Sequence, residues 1–177
     1  MIKFIYLLIF LPLYLLSDSR TLIFAPLPIK DIGDMHTQFL PVIQYLEKKL
    51  NVKIKMDYNS DYDTLLEKFI SGKIDIAYLG PLPYLSLEER YSYAIPLVNF
   101  KNEKQEVSYT CSFVSFISTK NSLENIIDTK IALTQPLSTC GYLFVNDVLN
   151  SSNTNIEKNK YRYVDRHDTV ALSVIRG

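Results

Sequence analysis

Residues 61–85 read DYDTLLEKFISGKIDIAYLGPLPYL, and this stretch indicates the class of fold. Four of its apolar side chains recur at the spacing of one helix face: Leu65, Leu66, Phe69 and Ile70. Ser60 or Asp61 is a suitable cap for the start of that helix, and Gly72 is suited to its end. IDIAYL (74–79) then predicts a strand. A helix followed at once by a strand is the second part of a β-α-β unit.

The residues before this stretch complete the unit. TLIFA (21–25) and VKIKM (52–56) predict strands, and the apolar residues between them recur at helical spacing. Thr37 is the predicted cap of that first helix, with Pro41 in its first turn. A β-α-β-α-β order predicts a parallel sheet with helices on both faces. Ligands of such sheets bind at the carboxyl ends of the strands, here in the loops 26–36, 57–62 and 80–84.

A second unit of the same kind follows the charged connection KNEKQE (101–106). Its predicted strands are SFVSFIS (112–118), IALT (131–134) and YRYV (161–164), with a short helix between Ser122 and Asp128 and further helices after the last two strands. We therefore predict one lobe at 20–98 and a second at 99–177. SVIRG at the end matches the helix and glycine of FISG, but no strand follows, so we expect the second lobe to be incomplete and the chain truncated.

The amino-terminal residues predict export. FIYLLIFLPLYLL (4–16) follows one lysine and precedes the small residues Ser17-Asp18-Ser19, which is the pattern of a signal peptide over 1–19. A retained anchor is the alternative. Cys111 and Cys140 would then enter an oxidising compartment, where they permit one disulfide, although their spacing does not fix whether they meet. His36 and His167 stand far apart and no Cys-x-x-Cys pair is present, so no metal site is expected.

Composition limits the function. The chain has 177 residues, of which 47% are hydrophobic, with 19 basic and 19 acidic side chains. Zero net charge gives none of the basic surface that nucleic-acid binding requires. Any bound anion must therefore be held by local hydrogen-bond donors.

The candidate donors lie in TQPLSTCGYLF (134–144), where Ser138, Thr139 and Cys140 crowd the predicted start of a helix. Helix starts expose unpaired N–H groups and bind phosphate-like anions. The alternative is a plain cap in which Thr139 is the N-cap and its neighbours have no role. Gly141 would give the backbone close access to a ligand.

Two further groups of residues lie at the same sheet edges. His167 follows a predicted strand and could donate to an anionic oxygen. Tyrosines cluster in the other loops: Tyr58, Tyr62, Tyr78 and Tyr84. An enzyme with Cys140 as nucleophile and His167 as base is the competing hypothesis. It is disfavoured because no catalytic motif surrounds either residue, so no enzymatic activity and no cofactor are expected.

Three segments resemble one known family in order and spacing. They are residues 61–85, PLSTCGYLF (136–144) and HDTVALSVIRG (167–177). They are similar to the D-Y and G-P stretch, the S-T-S-G loop and the H-D segment of phosphate, phosphite and phosphonate-binding proteins of ABC transporters. The resemblance implies a two-lobed periplasmic binding fold of the second type. It also implies an extracytoplasmic protein that delivers a phosphorus oxyanion or phosphonate to an ABC permease.

The same resemblance carries over ligand-binding residues: Tyr62, Tyr78, Ser138, Thr139, Cys140 and His167. Either Tyr78 or Leu79 matches the aromatic position of the family. Cys140 replaces its second serine, and from this we expect Cys140→Ser to retain or tighten binding. The alternative function is the ligand-sensing input domain of a membrane kinase or cyclase.

Overall fold

The computed structural model describes residues 20–117, 122–123 and 126–177; the predicted signal peptide lies outside them. The first half contains strands β1 (Thr21–Pro26), β2 (Lys53–Met56) and β3 (Ile76–Tyr78), which alternate with helices α1 (Ile32–Leu50), α2 (Tyr62–Ile70) and α3 (Pro81–Arg90). The second half contains β4 (Lys130–Leu133), a π-helical turn (Thr139–Leu143) that runs into α4 (Phe144–Ser151), a 3-10 turn (Ile156–Lys158), β5 (Lys160–Tyr163) and α5 (His167–Arg176).

The first half forms the predicted parallel sheet, in the order β2-β1-β3. Phe24 of the central strand is in register with Met56 on one side and with Ile76 on the other. Phe24 and its neighbour Ala25 point to opposite faces of the sheet, as successive strand residues do, and each is buried in a different core. Helices therefore cover both faces, as the sequence predicts.

The two cores differ in the helices that form them. One face packs against α2 and α3 through Ala25, Leu27, Tyr62, Leu65, Leu66, Ile74 and Leu87. The other packs against α1 through Phe24, Met35, Phe39, Ile43 and Ile54. Burial of a leucine side chain contributes about 1.5–3 kcal/mol, so Leu65 and Leu66, both fully buried, hold α2 firmly in place. The start of α2 is therefore packed firmly against the sheet.

Helix α1 begins earlier than predicted. Its N-cap is Asp31, whose carboxylate accepts the backbone N–H groups of Gly33 and Asp34. The prediction of Thr37 as the cap is wrong, because its hydroxyl donates to the carbonyl of Gly33 inside the helix. Pro41 likewise lies in the interior of the helix and not in its first turn.

The second half has its own parallel pair, β4 and β5, with Leu133 opposite Tyr163 at the carboxyl ends. Its core is formed by Ile126, Leu133, Val145, Leu149 and Ile156, which α4 and the sheet share. In the sequence, a long segment between α3 and β4 separates the strands of the first sheet from those of the second. The predicted lobe boundary at 98/99 lies within that segment. The boundary itself stays a prediction.

The strand predicted at 112–118 is wrong over the residues described. Residues 112–117 belong to no helix or strand, and Val114 and Ile117 are exposed. An alternating apolar pattern forms a strand only beside a partner with free hydrogen-bonding groups. In the described part of the chain β4 is paired with β5 alone. Residue 118 and part of the short helix predicted between Ser122 and Asp128 lie outside the described residues.

Candidate functional site

Helix starts from both halves meet at the carboxyl ends of the strands. Hydrogen bonds from helix-start N–H groups join the halves there. The N–H of Leu82 donates to Thr139 Oγ1 (3.0 Å), the N–H of Tyr62 to Gln135 Oε1 (2.8 Å), and the N–H of His167 to the carbonyl of Ile29 (3.3 Å). Each donor is at the start of a helix, where N–H groups lack partners within the helix. The region is therefore rich in donors and carries the positive ends of several helix dipoles.

Thr139 caps a helix of the other half. Gly80 is the N-cap of α3 and has no side chain to accept a hydrogen bond, and Thr139 Oγ1 supplies the acceptor from 57 residues away. A hydroxyl has one donor and two acceptor positions, so Thr139 keeps its O–H for another partner.

Ser138 caps its own helix. Its side chain is 3% exposed, and its Oγ accepts the N–H of Gly141 at 2.9 Å. The alternative in which Thr139 is the N-cap is therefore wrong. The three crowded side chains have three separate functions: Ser138 caps its own turn, Thr139 caps α3, and Cys140 forms a covalent bond.

Cys140 is joined to Cys111 in a disulfide, with the two Cα atoms 5.2 Å apart. The expectation that the Cys140 thiol donates to a ligand is therefore corrected, because a disulfide sulfur has no hydrogen. The expected behaviour of Cys140→Ser changes as well, because that substitution breaks a covalent link. The same bond removes the nucleophile of the competing enzyme hypothesis.

Gly141 is required by packing. A Cβ atom built at this position would lie 1.9 Å from the side-chain oxygen of Thr134 and 2.9 Å from its backbone nitrogen. The helix start thus rests directly on the end of β4. The predicted role of Gly141, access to a ligand, is not what the geometry requires, since the close neighbour is the protein's own strand.

Tyr62 lies in the same region as Ser138. Its side chain is 2% exposed, and burial raises the pKa of its hydroxyl to about 12 even though a hydrogen bond with the Ser138 side chain lowers it. The phenol is therefore neutral at any physiological pH and serves as a hydrogen-bond donor or acceptor. The resemblance and the geometry agree in bringing Tyr62 and Ser138 together.

Tyr78 has a different environment. Its ring packs between Phe39 (4.9 Å) and Phe100 (5.6 Å), and burial raises the pKa of its hydroxyl. The ring of Tyr78 is therefore part of the core beneath α1. Tyr109 raises the pKa of both Tyr62 and Tyr78, and it is a neighbour that the two tyrosines share.

His167 is the first residue of α5 and is exposed. Surrounding protein atoms partly desolvate the imidazole ring, which lowers its pKa, and the nearby Asp168 carboxylate raises the pKa by a smaller amount. The imidazole is therefore neutral near pH 7. Asp168 itself is paired with Arg166 at 3.1 Å, and this contact holds its pKa below the usual range.

Gln135 is the residue that the sequence analysis missed. Its side chain is 3% exposed; its Oε1 accepts the N–H of Tyr62 and its Nε2 donates to the carbonyl of Asp165 at 3.2 Å. The available signal was its position, two residues beyond the end of β4 at the carboxyl edge of the sheet.

A cavity of about 1060 Å³ lies against β4 and β5 and reaches Cys140, Gly141 and His167. Its walls are mainly apolar, with Phe113 and Val114 on one side. The cavity is not lined by Tyr62, Ser138 or Thr139, and its apolar walls make it a poor environment for an anion.

Across 20–117, 122–123 and 126–177, histidine, cysteine and acidic side chains form no group of three that could hold a metal ion. Of the helices in these ranges, none is both long enough and apolar enough to cross a membrane.

Two parallel α/β units whose helix starts face each other define the class of two-lobed periplasmic binding proteins of the second type. The chain belongs to the family described as "ABC transporter, phosphonate, periplasmic substrate-binding protein", which it matches over residues 24–177.

Individual relatives agree with this assignment. The Phosphate-import protein PhnD of Mycolicibacterium smegmatis is 27% identical over 128 residues, which are 71% of this chain and 40% of the relative. The Phosphonates-binding periplasmic protein of Escherichia coli is 24% identical over 168 residues, which are 92% of this chain and 50% of the relative. The chain thus spans half or less of the length of these curated relatives.

Solved structures share the fold. A binding protein component of an ABC phosphonate transporter from Pseudomonas aeruginosa has a TM-score of 0.77 at 18% identity, covering 90% of this chain and 55% of that one. PhnD1 from Prochlorococcus marinus, solved in complex with methylphosphonate, has a TM-score of 0.70 at 17% identity, covering 89% and 60%. The predicted class of fold is confirmed.

Proposed function

We propose that this protein is an extracytoplasmic solute-binding protein that captures a phosphorus oxyanion or a small phosphonate for an ABC importer. The observation that carries the proposal is the meeting of hydroxyl-bearing helix starts from both halves, where Thr139 bonds to Leu82 and Tyr62 lies against Ser138. Family membership supports the same ligand class. The lobes at 20–98 and 99–177, and export directed by residues 1–19, belong to this proposal.

The donors suit an anion without a matching cation. Thr139 keeps its O–H for a ligand, the hydrogen-bonded pair of Tyr62 and Ser138 has one further O–H between its two hydroxyls, and the helix starts add partial positive charge. Cys140 contributes through its backbone N–H alone, since its sulfur is bonded to Cys111. His167 would donate as a neutral imidazole, and Tyr78 would shape the site from its packed position.

Transport rather than catalysis is the proposed activity. The side chain best placed to act as a nucleophile, Cys140, is held in a disulfide, and the tyrosine hydroxyls of the site have raised pKa values that keep them protonated. Groups that donate hydrogen bonds and do not ionise hold an anion without reacting with it.

Titration calorimetry tests the proposal. Methylphosphonate, phosphite, phosphate and sulfate would be titrated into the purified protein and into Ser138→Ala. We expect binding of at least one phosphorus oxyanion by the wild type, and about tenfold weaker binding by Ser138→Ala, which loses one hydrogen bond to a charged ligand. Ser151→Ala, at an exposed position at the end of α4, is the matched control. Equal affinities for Ser138→Ala and Ser151→Ala would contradict the placement of the site.

A further inference from the structure

Gln135 uses both ends of its amide to join segments that are far apart in the sequence. The carbonyl end accepts the N–H of Tyr62 at 2.8 Å, and the amino end donates to the backbone of Asp165 at 3.2 Å. Its own backbone carbonyl accepts the N–H of Ser138 at 2.9 Å. One buried residue therefore connects the start of α2, the Ser138 turn and the loop that leads to His167.

These contacts set the position of the start of α2 relative to the end of β4, in addition to stabilising the fold. The Tyr62 N–H is at the first residue of α2, so the amide of Gln135 sets the distance between that helix start and the end of β4. The hydroxyl of Tyr62 and the side chain of Ser138 meet across the same boundary. A change in this distance would separate the two groups that the proposed site requires together.

We propose that Gln135 is a positioning residue, which holds the two halves at the separation where Tyr62 and Ser138 contact the same anion. This inference rests on the proposed function. Gln135 touches the ligand-binding groups and is not itself assigned to the ligand.

The neutrality of Gln135 is part of the inference. A carboxylate of the same shape would also accept the Tyr62 N–H and would gain from the positive end of α2. It would, however, place a buried negative charge close to the proposed anion, and it has no hydrogen to donate to the carbonyl of Asp165. An amide satisfies both partners without repelling the ligand.

A double-mutant cycle tests the positioning role, with affinity for methylphosphonate measured by calorimetry. Tyr62→Phe removes the hydroxyl and keeps the backbone N–H, and Gln135→Leu removes both amide contacts. We expect each single variant to bind about tenfold more weakly, because each loses one effective hydrogen bond to the ligand. If Gln135 acts by placing Tyr62, the double variant binds no more weakly than the weaker single variant. Gln44→Leu, at an exposed position on α1, is the matched control.

The outcomes separate the two claims. Wild-type affinity in Gln135→Leu, or losses that multiply in the double variant, would overturn the positioning role and leave the proposed function standing. No binding of methylphosphonate, phosphite or phosphate by the wild type would defeat both.

If Gln135→Leu does not fold, a second variant, Gln135→Glu, tests the positioning role. Gln135→Glu keeps the acceptor for the Tyr62 N–H, so we expect this variant to fold, as cooperative unfolding in urea would show. We expect it to bind methylphosphonate at least tenfold more weakly, because its carboxylate repels the anion. Wild-type affinity in Gln135→Glu would overturn the inference.

Discussion

The side-chain oxygen of Thr139 accepts a hydrogen bond from the backbone N–H of Leu82, 3.0 Å away and 57 residues earlier in the chain. It supplies the cap that Gly80 cannot provide for α3. A residue in the turn Thr139–Leu143 of one half thereby completes a helix in the other. Loss of this contact should be detectable both in stability and in ligand affinity.

We expect Thr139→Val, which keeps the shape and removes the hydroxyl, to lower the free energy of unfolding by about 1 kcal/mol, the usual value of a helix cap. It should also weaken binding of methylphosphonate, because the same hydroxyl is a proposed ligand donor. Urea unfolding and calorimetry measure the two effects. Thr37→Val is the control, since the Thr37 hydroxyl donates to the carbonyl of Gly33 within its own helix, α1. Equal stability of the two variants would show that Thr139 does not act as a cap.

Gly141→Ala should destabilise the fold by about 2 kcal/mol or more, as overpacking at a rigid contact does. The added methyl group would overlap the side chain of Thr134, whose oxygen is buried and has no hydrogen-bond partner in the described part of the chain. Gly80→Ala is a suitable comparison, because its added atom would approach no neighbour closer than 3.8 Å. Thermal unfolding of both variants checks the prediction. A Gly141→Ala protein as stable as Gly80→Ala would contradict the close packing.

Reduction of the Cys111–Cys140 disulfide should lower the free energy of unfolding by about 3.6 kcal/mol, the value that loop closure gives for a sequence separation of 29. The melting temperature with and without a reductant measures the effect. The variant carrying both Cys111→Ala and Cys140→Ala should match the reduced protein and show no response to the reductant. If the melting temperature of the wild-type protein also does not change with the reductant, the disulfide does not form in solution.

The alkaline stability of the fold should depend on Tyr62. Below about pH 10 the phenol is protonated in both the folded and the unfolded chain, and its ionisation contributes nothing. Between pH 10.0 and about 12 the unfolded chain loses this proton first, because burial raises the pKa in the folded state. Stability is therefore lost as pH rises through this window, by about 3 kcal/mol for this residue. Urea unfolding at about pH 9 and about pH 11 should give a smaller loss for Tyr62→Phe than for the wild type.

Sequence periodicity predicted the first half well because its signals are local. Asp61 and Gly72 bound a helix that carries its own apolar face, and parallel pairing follows from the alternation of strands and helices. The start of α1 was misplaced because Thr37 and Pro41 resemble start signals, while the actual cap, Asp31, lies in the proline-containing stretch PLPIKDIGD, which was read as a loop. The strand predicted at 112–118 failed because a strand depends on a distant partner.

The helix start at Ser138 was predicted, but the separate contacts of its three crowded side chains were not. Ser138, Thr139 and Cys140 were identified as one group of donors, and the spacing along the chain contains nothing that assigns them to three different partners. Those partners, Gly141, Leu82 and Cys111, are chosen by the tertiary fold. Gln135 was overlooked because a single buried amide leaves no pattern in a sequence.

The Cys111–Cys140 bond also determines how the protein responds to proteolysis. It encloses a stretch that includes residues 112–117, which have no regular structure and expose apolar side chains. A single cut within that ring leaves the two fragments covalently joined. The nicked protein would migrate as one band on a non-reducing gel and as two after reduction, and the helix start bearing Ser138 would stay linked to the amino-terminal fragment through Cys111.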